Sequence, residues 1–116
     1  MSTDNKKRLA HRALVARILE GDGRTPRDQR RAAFDNSGLG QTLRPLIDKI
    51  AQRPAQVTEG DIAAVKTSGL AEDEIFELVV CAAVGQATRQ YETALGALAQ
   101  AANARGATEH ASRDPR

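Results

Sequence analysis

The sequence contains a single cysteine, Cys81, no tryptophan, one tyrosine and two phenylalanines among its 116 residues. A lone cysteine forms neither an internal disulfide nor a cysteine-rich metal site. No apolar run reaches the length of about 18 residues that a membrane-spanning helix needs. The charged first residues are not followed by an apolar run, so we expect no secretory signal. These absences predict a cytoplasmic protein that does not enter the membrane.

Alanine supplies much of the 41% apolar content, which favours closely packed helices over a thick core. A chain of this length fits one domain. We therefore predict a single helical domain over residues 1–104. Residues 105–116 carry no apolar pattern and are predicted to form a disordered tail.

Charge is divided unevenly along the chain, although the formal net charge is only +2. Residues 1–31 contain nine basic and four acidic side chains, whereas residues 55–80 contain six acidic side chains and one basic side chain. The simplest interpretation is a set of solvated helix faces. Two sharper interpretations are head-to-tail contacts between subunits and a basic arm that meets an anionic partner.

Hydrophobic periodicity and helix-end signals predict five helices and no strand. A glycine-rich break at residues 21–23 separates the first two helices, and Thr25 is predicted to be the N-cap of the second. Thr58 and Asp61 form a variant capping box ahead of the fourth helix, which Gly69 terminates. The predicted helices cover residues 4–20, 26–34, 42–52, 59–67 and 72–103.

The last predicted helix has an apolar face that is too long for the rest of a small domain to cover. This excess predicts packing on another subunit, and hence a homo-oligomer. Gly85 and Gly96 lie inside the helix, and each is predicted to mark a close helix approach or a kink. Leu9, Ala13, Leu14, Arg17 and Ile18 of the first helix share one face at helical spacing. The stripe predicted to be buried in the last helix comprises Ile75, Phe76, Val79, Val80, Ala83, Val84, Ala87, Tyr91, Ala94, Leu95 and Leu98.

Three segments from residue 46 onward follow each other in an informative order. They read LIDKIAQRP at residues 46–54, VTEGDIAAVK at residues 57–66 and SGLAEDEIFELVV at residues 68–80. Their order and spacing resemble the C-terminal half of the carboxymuconolactone decarboxylase/alkyl hydroperoxidase D-like superfamily, over about residues 46–98. The resemblance implies an all-α fold, an alkyl hydroperoxidase D-like orthogonal helical bundle of about five helices ending in one long helix.

The thiol-active members of that superfamily carry a Cys-x-x-Cys-x-x-x-His motif upstream of the matching region. One thiolate attacks the peroxide or disulfide, the second resolves it, and the histidine helps to move protons. Upstream of residue 46 this sequence has no cysteine and only one histidine, His11. Peroxidase activity of the thiol type therefore does not carry over. The resemblance places no catalytic residue of the decarboxylase branch on this sequence either.

Few residues remain as candidates for a binding site. Cys81 lies in an apolar stretch and is interpreted as a buried structural thiol. By resemblance, Gln86, Arg89 and Tyr91, together with Cys81, could line a pocket for a small anionic or polar ligand. The alternative is a helix face that turns from core to solvent. The two histidines, His11 and His110, have no metal-ligand spacing, and no cofactor-binding motif occurs, so neither a metal nor a cofactor is expected.

Three functions stay open at this point, and they leave undecided whether the protein is an enzyme. The first is an oligomeric, non-catalytic or diverged subunit, alone or with a heteromeric partner that carries the cysteine motif. The second is a small-molecule enzyme that uses the carboxylates Glu72, Asp73 and Glu77 with Arg89 as an anchor. The third is a DNA-binding regulator that uses the basic N-terminal helices. Nucleic acid is the less favoured partner because the acidic half of the chain would repel phosphates.

Overall fold

The computed structural model describes the backbone of residues 3–113 and the side chains of residues 5–106, and over this range it is all-α, without a strand. The predicted fold class, all-α and ending in one long helix, is confirmed. The chain divides into two units, residues 1–86 and residues 87–116. The α-helices are α1 (Thr3–Glu20), α2 (Arg27–Asp35), α3 (Arg44–Gln52), α4 (Glu59–Thr67) and α5 (Glu72–Arg113), with a 3₁₀ turn at Pro54–Gln56 between α3 and α4.

The first unit buries one apolar core to which every helix contributes. Leu46 and Ile47 of α3 and Leu78 of α5 are the most completely buried large side chains. Removing side chains of this size from water contributes about 1.5–3 kcal/mol each. The core therefore holds α3 and the first turns of α5 together. Its further members are Leu19, Ala33, Phe34, Leu39, Leu43, Val65, Ile75, Cys81 and Ala82.

Local chemistry sets the ends of α4 as the sequence predicts. The Asp61 backbone N–H donates to Thr58 Oγ1 at 3.2 Å, and the Thr58 backbone N–H donates to Asp61 Oδ2 at 2.9 Å. This reciprocal pair is a complete capping box. Gly69 follows the helix with φ of +109°, a left-handed conformation that favours glycine. The predicted span, residues 59–67, is confirmed.

The predicted apolar faces of α1 and α5 match the core only in part, with Ile18, Ile75, Val79 and Val84 packed in it or against it. Leu9 and Leu14 of α1 are half exposed, and among the described side chains of that helix Leu19 is the buried one. In α5, Phe76 is 68% exposed, while Leu78, two positions along, is fully buried. Both helices carry apolar residues on more than one side, so periodicity alone does not identify the whole buried face. The core-facing residues of α5 in the first unit are Ile75, Leu78, Cys81, Ala82 and Gly85.

Gly85 and Gly96 have different environments. A Cβ atom added at Gly85 would lie 2.0 Å from the carbonyl oxygen of Phe34, so α2 and α5 approach closely at this point. The prediction of a close approach is therefore confirmed at Gly85. At Gly96 no atom beyond the neighbouring backbone of its own helix lies within 4 Å of an added Cβ, so the described residues make no close approach there, and the alternative of a kink stays a prediction.

The second unit contains the remainder of α5, which runs to Arg113 and so extends beyond the predicted end at residue 103. Residues 105–113 thus belong to a helix, and residues 114–116 lie outside the described part of the chain. The limits of the domain and of a disordered tail stay predictions. Most described side chains of this unit are exposed, including Leu98 at 66% and Tyr91 at 47%.

Within the described residues, no helix combines the length and apolar character needed to cross a bilayer.

Candidate functional site

The polar centre of the first unit begins with Glu77, which holds the loop between α1 and α2. Its carboxylate accepts hydrogen bonds from the backbone N–H of Arg24 at 2.7 Å, the backbone N–H of Thr25 at 2.9 Å and Thr25 Oγ1 at 2.7 Å. A Cβ atom added at Gly23 would lie 2.8 Å from Glu77 Oε1, so glycine lets the loop fold closely around the carboxylate. Glu77 thus anchors the loop to α5.

This arrangement corrects the role predicted for Thr25. The N-cap of α2 is Pro26, which makes no side-chain capping bond. Thr25 is buried, and its hydroxyl donates to Glu77 instead of accepting from the first turn of α2. A carboxylate near the start of α2 also complements the positive end of the helix dipole. The Thr25 hydroxyl is therefore used in a long-range contact with Glu77 and not in a local cap.

Burial raises the pKa of the Glu77 carboxyl, but the hydrogen bonds from Arg24 and Thr25 and the positive charge of Arg30 outweigh it. The net effect is a pKa below the ordinary value. Glu77 is therefore held as a carboxylate, which fits a fixed acceptor. It is not a carboxyl tuned to exchange protons near neutral pH.

Arg30, on α2, lies under the same loop and is only 5% exposed. Its Nη1 donates to the carbonyl oxygens of Ile18 at 3.1 Å and Gly21 at 2.8 Å, which lie at the C-terminal end of α1. A cation at this end of a helix is stabilising. The Arg30 Nε is buried and has no hydrogen-bond partner, and Arg30 forms no ion pair among the described residues.

Cys81 lies one turn beyond Glu77 on α5 and is 1% exposed. Its Sγ lies 4.0 Å from the Ile18 carbonyl oxygen. Burial raises the pKa of the Cys81 thiol, with a further increase from Glu77, and the charge of Arg30 only partly opposes it. A buried thiol with a raised pKa is a poor nucleophile. The interpretation of Cys81 as a buried residue is confirmed.

A surface concavity of about 170 Å³ lies beside this polar centre, where α1, α2 and α5 meet. It has two cationic, two anionic and three apolar side chains. The apolar ones give it a hydrocarbon wall, and the buried guanidinium is its least accessible charge. The lining residues are Arg17, Ile18, Asp22, Arg30, Phe76, Glu77 and Val80.

Two of the larger concavities of the first unit have fewer buried polar groups. One of about 450 Å³ lies where the loop after α2 meets α3, and is lined by Asn36, Ser37, Gly38, Leu39, Arg44, Pro45 and Asp48. Another of about 460 Å³ lies between α4 and α5, and is lined by Ile62, Lys66, Glu72, Asp73, Ile75, Phe76 and Val79. Neither contains a titratable group as deeply buried as Arg30.

The carboxylates considered for enzymatic chemistry each have a structural contact. Glu72 forms an ion pair with Lys66 across the α4–α5 connection. Asp73 lies 3.6 Å from the Arg24 guanidinium, with both side chains largely exposed. Glu77 holds the loop, as described above. The three carboxylates therefore do not converge on one reacting position.

The four residues predicted to line a pocket are divided between the two units. Cys81 and Gln86 lie in the first unit, whereas Arg89 and Tyr91 lie in the second. None of the four lines the concavities described above. Their shared pocket stays a prediction. His11 is half-buried on α1, and the side chain of His110 lies outside the described residues.

Sequence reasoning missed Arg30 as a member of the polar centre. Arg30 stands in a basic segment with Arg27 and Arg31, both of which are exposed. Nothing in the local pattern separates the buried arginine from its neighbours.

Comparison with protein-family models, with curated proteins and with solved structures gives no match in any of the three.

Proposed function

We propose that this chain is a non-catalytic or diverged helical subunit of the carboxymuconolactone decarboxylase/alkyl hydroperoxidase D-like type, which acts by assembling with further copies of itself. The family part of this proposal depends on the order of the three segments between residues 46 and 80. The non-catalytic part is supported by the missing motif and by the burial of Cys81, the chain's only thiol.

The observation that carries the assembly proposal is an exposed apolar repeat on the second unit. We call it the α5 stripe, and it consists of Ala87, Tyr91, Ala94, Leu98 and Ala101. All five residues are exposed. They are spaced alternately four and three residues apart, which is the spacing of a helix that packs along a partner helix.

The composition of the stripe favours a second copy of the chain as its occupant. No charged residue occurs between Glu92 and Arg105, so two identical stripes would meet without like-charge repulsion. Alanine at residues 87, 94 and 101 would allow the helices to approach closely, and Leu98 would fill the space between alanine positions. A twofold pairing would use the same surface on both partners.

The free energy of burying apolar surface also favours a partner that covers the α5 stripe. An isolated helix in water is marginal, and most helical stability in proteins comes from packing an apolar face. Covering Leu98, which is 66% exposed, would add about 1–2 kcal/mol per copy. The alanines would add smaller amounts, and a pair of helices would gain from both sides.

Sedimentation velocity of three full-length proteins tests this proposal. The unsubstituted chain is expected to sediment as an oligomer, and Leu98→Lys to shift toward the monomer, because it places a charge in the packed stripe. Gln100→Lys adds the same charge to an exposed position outside the stripe and serves as the control. Equal oligomer content in Leu98→Lys and Gln100→Lys, or a monomeric unsubstituted chain, would overturn the proposed surface.

A peroxide-reduction assay with a dithiol donor tests the non-catalytic part separately. The chain alone is expected to give no turnover above the uncatalysed reaction. A turnover that disappears in Cys81→Ala would contradict the reasoning from burial. If the chain instead forms mixed oligomers with a second chain that carries the cysteine motif, the heteromeric alternative replaces self-assembly.

A further inference from the structure

Arg30 is a buried cation of the first unit whose hydrogen-bonding groups and charge are only partly paired. The guanidinium is always ionised in proteins, and its side chain is only 5% exposed. Buried charges are ordinarily paired, because desolvation of an unpaired ion costs several kcal/mol. Among the described residues, Arg30 forms no ion pair, and its Nε has no hydrogen-bond partner.

Carbonyl groups satisfy only part of this side chain. Nη1 donates to Ile18 and Gly21, which supply partial negative charge from the end of α1. Glu77 is close enough for its pKa to respond to the arginine, but its oxygens already accept from Arg24 and Thr25. The arrangement therefore leaves the guanidinium without a direct counterion.

The concavity of about 170 Å³ is lined by Arg30. At about 30 Å³ per water, it has space for roughly six water-sized groups. Ile18, Phe76 and Val80 provide an apolar wall, and Arg17 provides a second, exposed cation. A ligand that fits this lining carries negative charge at one end and a short hydrocarbon chain at the other.

The anionic side chains of the lining limit the charge of the ligand. Asp22 and Glu77 also line the concavity, so its formal charges balance. A dianion such as inorganic phosphate would bring a second negative charge toward these carboxylates. A monoanion brings only one, and its hydrocarbon part gains from the apolar wall.

We propose that the concavity formed by Arg30, Arg17 and the Ile18–Phe76–Val80 wall is a binding site for a short-chain monocarboxylate. The carboxylate pairs with the Arg30 guanidinium, and the hydrocarbon chain lies against the wall. The site goes beyond the proposed assembly function, and all of its residues lie in the first unit. It differs from the pocket that the resemblance suggested, which involves Gln86, Arg89 and Tyr91.

Amide chemical shifts of the isotope-labelled full-length chain test the site, with sodium butyrate as the probe. Butyrate at rising millimolar concentration is expected to shift the amides of Ile18, Asp22 and Val80 along one saturable curve. Butyramide, the neutral analogue, is expected to shift them at least tenfold less at equal concentration, because it has no charge for Arg30 to pair with. Sodium chloride at matched ionic strength separates a salt effect from binding.

Variants then locate the site without disturbing the Arg30 bonds to α1. Arg17→Gln is expected to weaken butyrate binding several-fold, whereas Arg12→Gln, an exposed arginine of the same helix outside the concavity, should not change it. Val80→Phe is expected to fill the concavity and abolish the saturable shifts. Folding of each variant is checked by its helical circular dichroism.

Some outcomes would overturn the proposal. These are a linear, unsaturable response to butyrate, equal shifts with butyramide or chloride, and equal affinities for Arg17→Gln and Arg12→Gln. Saturation by phosphate but not by butyrate would replace the monocarboxylate by an inorganic anion. The concavity lies in the first unit and the α5 stripe in the second, so failure of one proposal leaves the other intact.

Discussion

Removing the Glu77 carboxylate should destabilise the first unit by more than any other single change to an acidic side chain. In Glu77→Ala, the backbone N–H and the hydroxyl of Thr25 lose their acceptor. Thr25 is only 3% exposed, so water does not replace that acceptor. Buried donors left unpaired cost about 1–3 kcal/mol, and bonds to a charged acceptor contribute about 1.5–3 kcal/mol each. Because these contributions overlap, we expect a total loss of about 2–4 kcal/mol in the free energy of unfolding.

Urea unfolding followed by circular dichroism measures this loss at neutral pH. Glu77→Gln keeps one acceptor oxygen but removes the charge, so it should lose about half as much. Glu92→Ala, on an exposed position of α5, should remain within about 0.5 kcal/mol of the unsubstituted chain. If Glu77→Ala unfolds at the same urea concentration as Glu92→Ala, the loop is not held by this carboxylate.

The pH dependence gives a second test of the same residue. The pKa of Glu77 is lower in the folded chain than its ordinary value of 4.5. The unfolded chain therefore binds the proton more readily, and Glu77 stabilises the fold above pH 4.5. This contribution is lost as the pH falls from 4.5 through the folded pKa. The difference in stability between the unsubstituted chain and Glu77→Gln should shrink over that range, and a difference independent of pH would refute the assignment.

Three further substitutions and one reactivity test follow from the packing. Gly85→Ala should cost more than about 3 kcal/mol or prevent folding, because its Cβ would lie 2.0 Å from the Phe34 carbonyl oxygen. Gly96→Ala, with open space around the added methyl group, should instead raise the free energy of unfolding by up to about 1 kcal/mol in the same urea experiment. Cys81 should react with a thiol reagent only when urea unfolds the chain, and rapid labelling of the native protein would contradict its burial. Thr58→Ala should cost about 1 kcal/mol of stability through loss of the capping box, and an unchanged midpoint would refute that role.

The helix ends could be predicted from the sequence because they depend on short-range chemistry. The capping box at Thr58 and Asp61 and the left-handed Gly69 involve residues only a few positions apart. Such contacts form whatever the rest of the chain does. The limits of α4 were accordingly correct, and those of α1, α2 and α3 agree to within one or two residues.

The buried faces could not be predicted because they depend on which helix packs on which. Phe76 and Leu78 are both apolar, and only contact with the rest of the core selects Leu78. The close approach of Phe34 to Gly85 then fixes the rotation of α5 relative to α2. Periodicity carries no information about this choice when a helix is apolar on several sides.

The polar centre illustrates the same limit for a candidate site. Glu77 and Thr25 lie 52 positions apart, and their bond replaces a local cap that the sequence favoured. Arg30 is buried because the end of α1 offers it two carbonyl groups. Long-range contacts of this kind leave no signal in the spacing of residues. They account for both the wrong role given to Thr25 and the missed role of Arg30.

Native mass spectrometry of the full-length chain, purified under mild conditions, tests whether the chain assembles through the α5 stripe. We predict masses of two or more copies of the 12.4 kDa chain, with Leu98→Lys shifted toward a single copy. A single 12.4 kDa species at every concentration, identical in the two proteins, would contradict assembly through the α5 stripe.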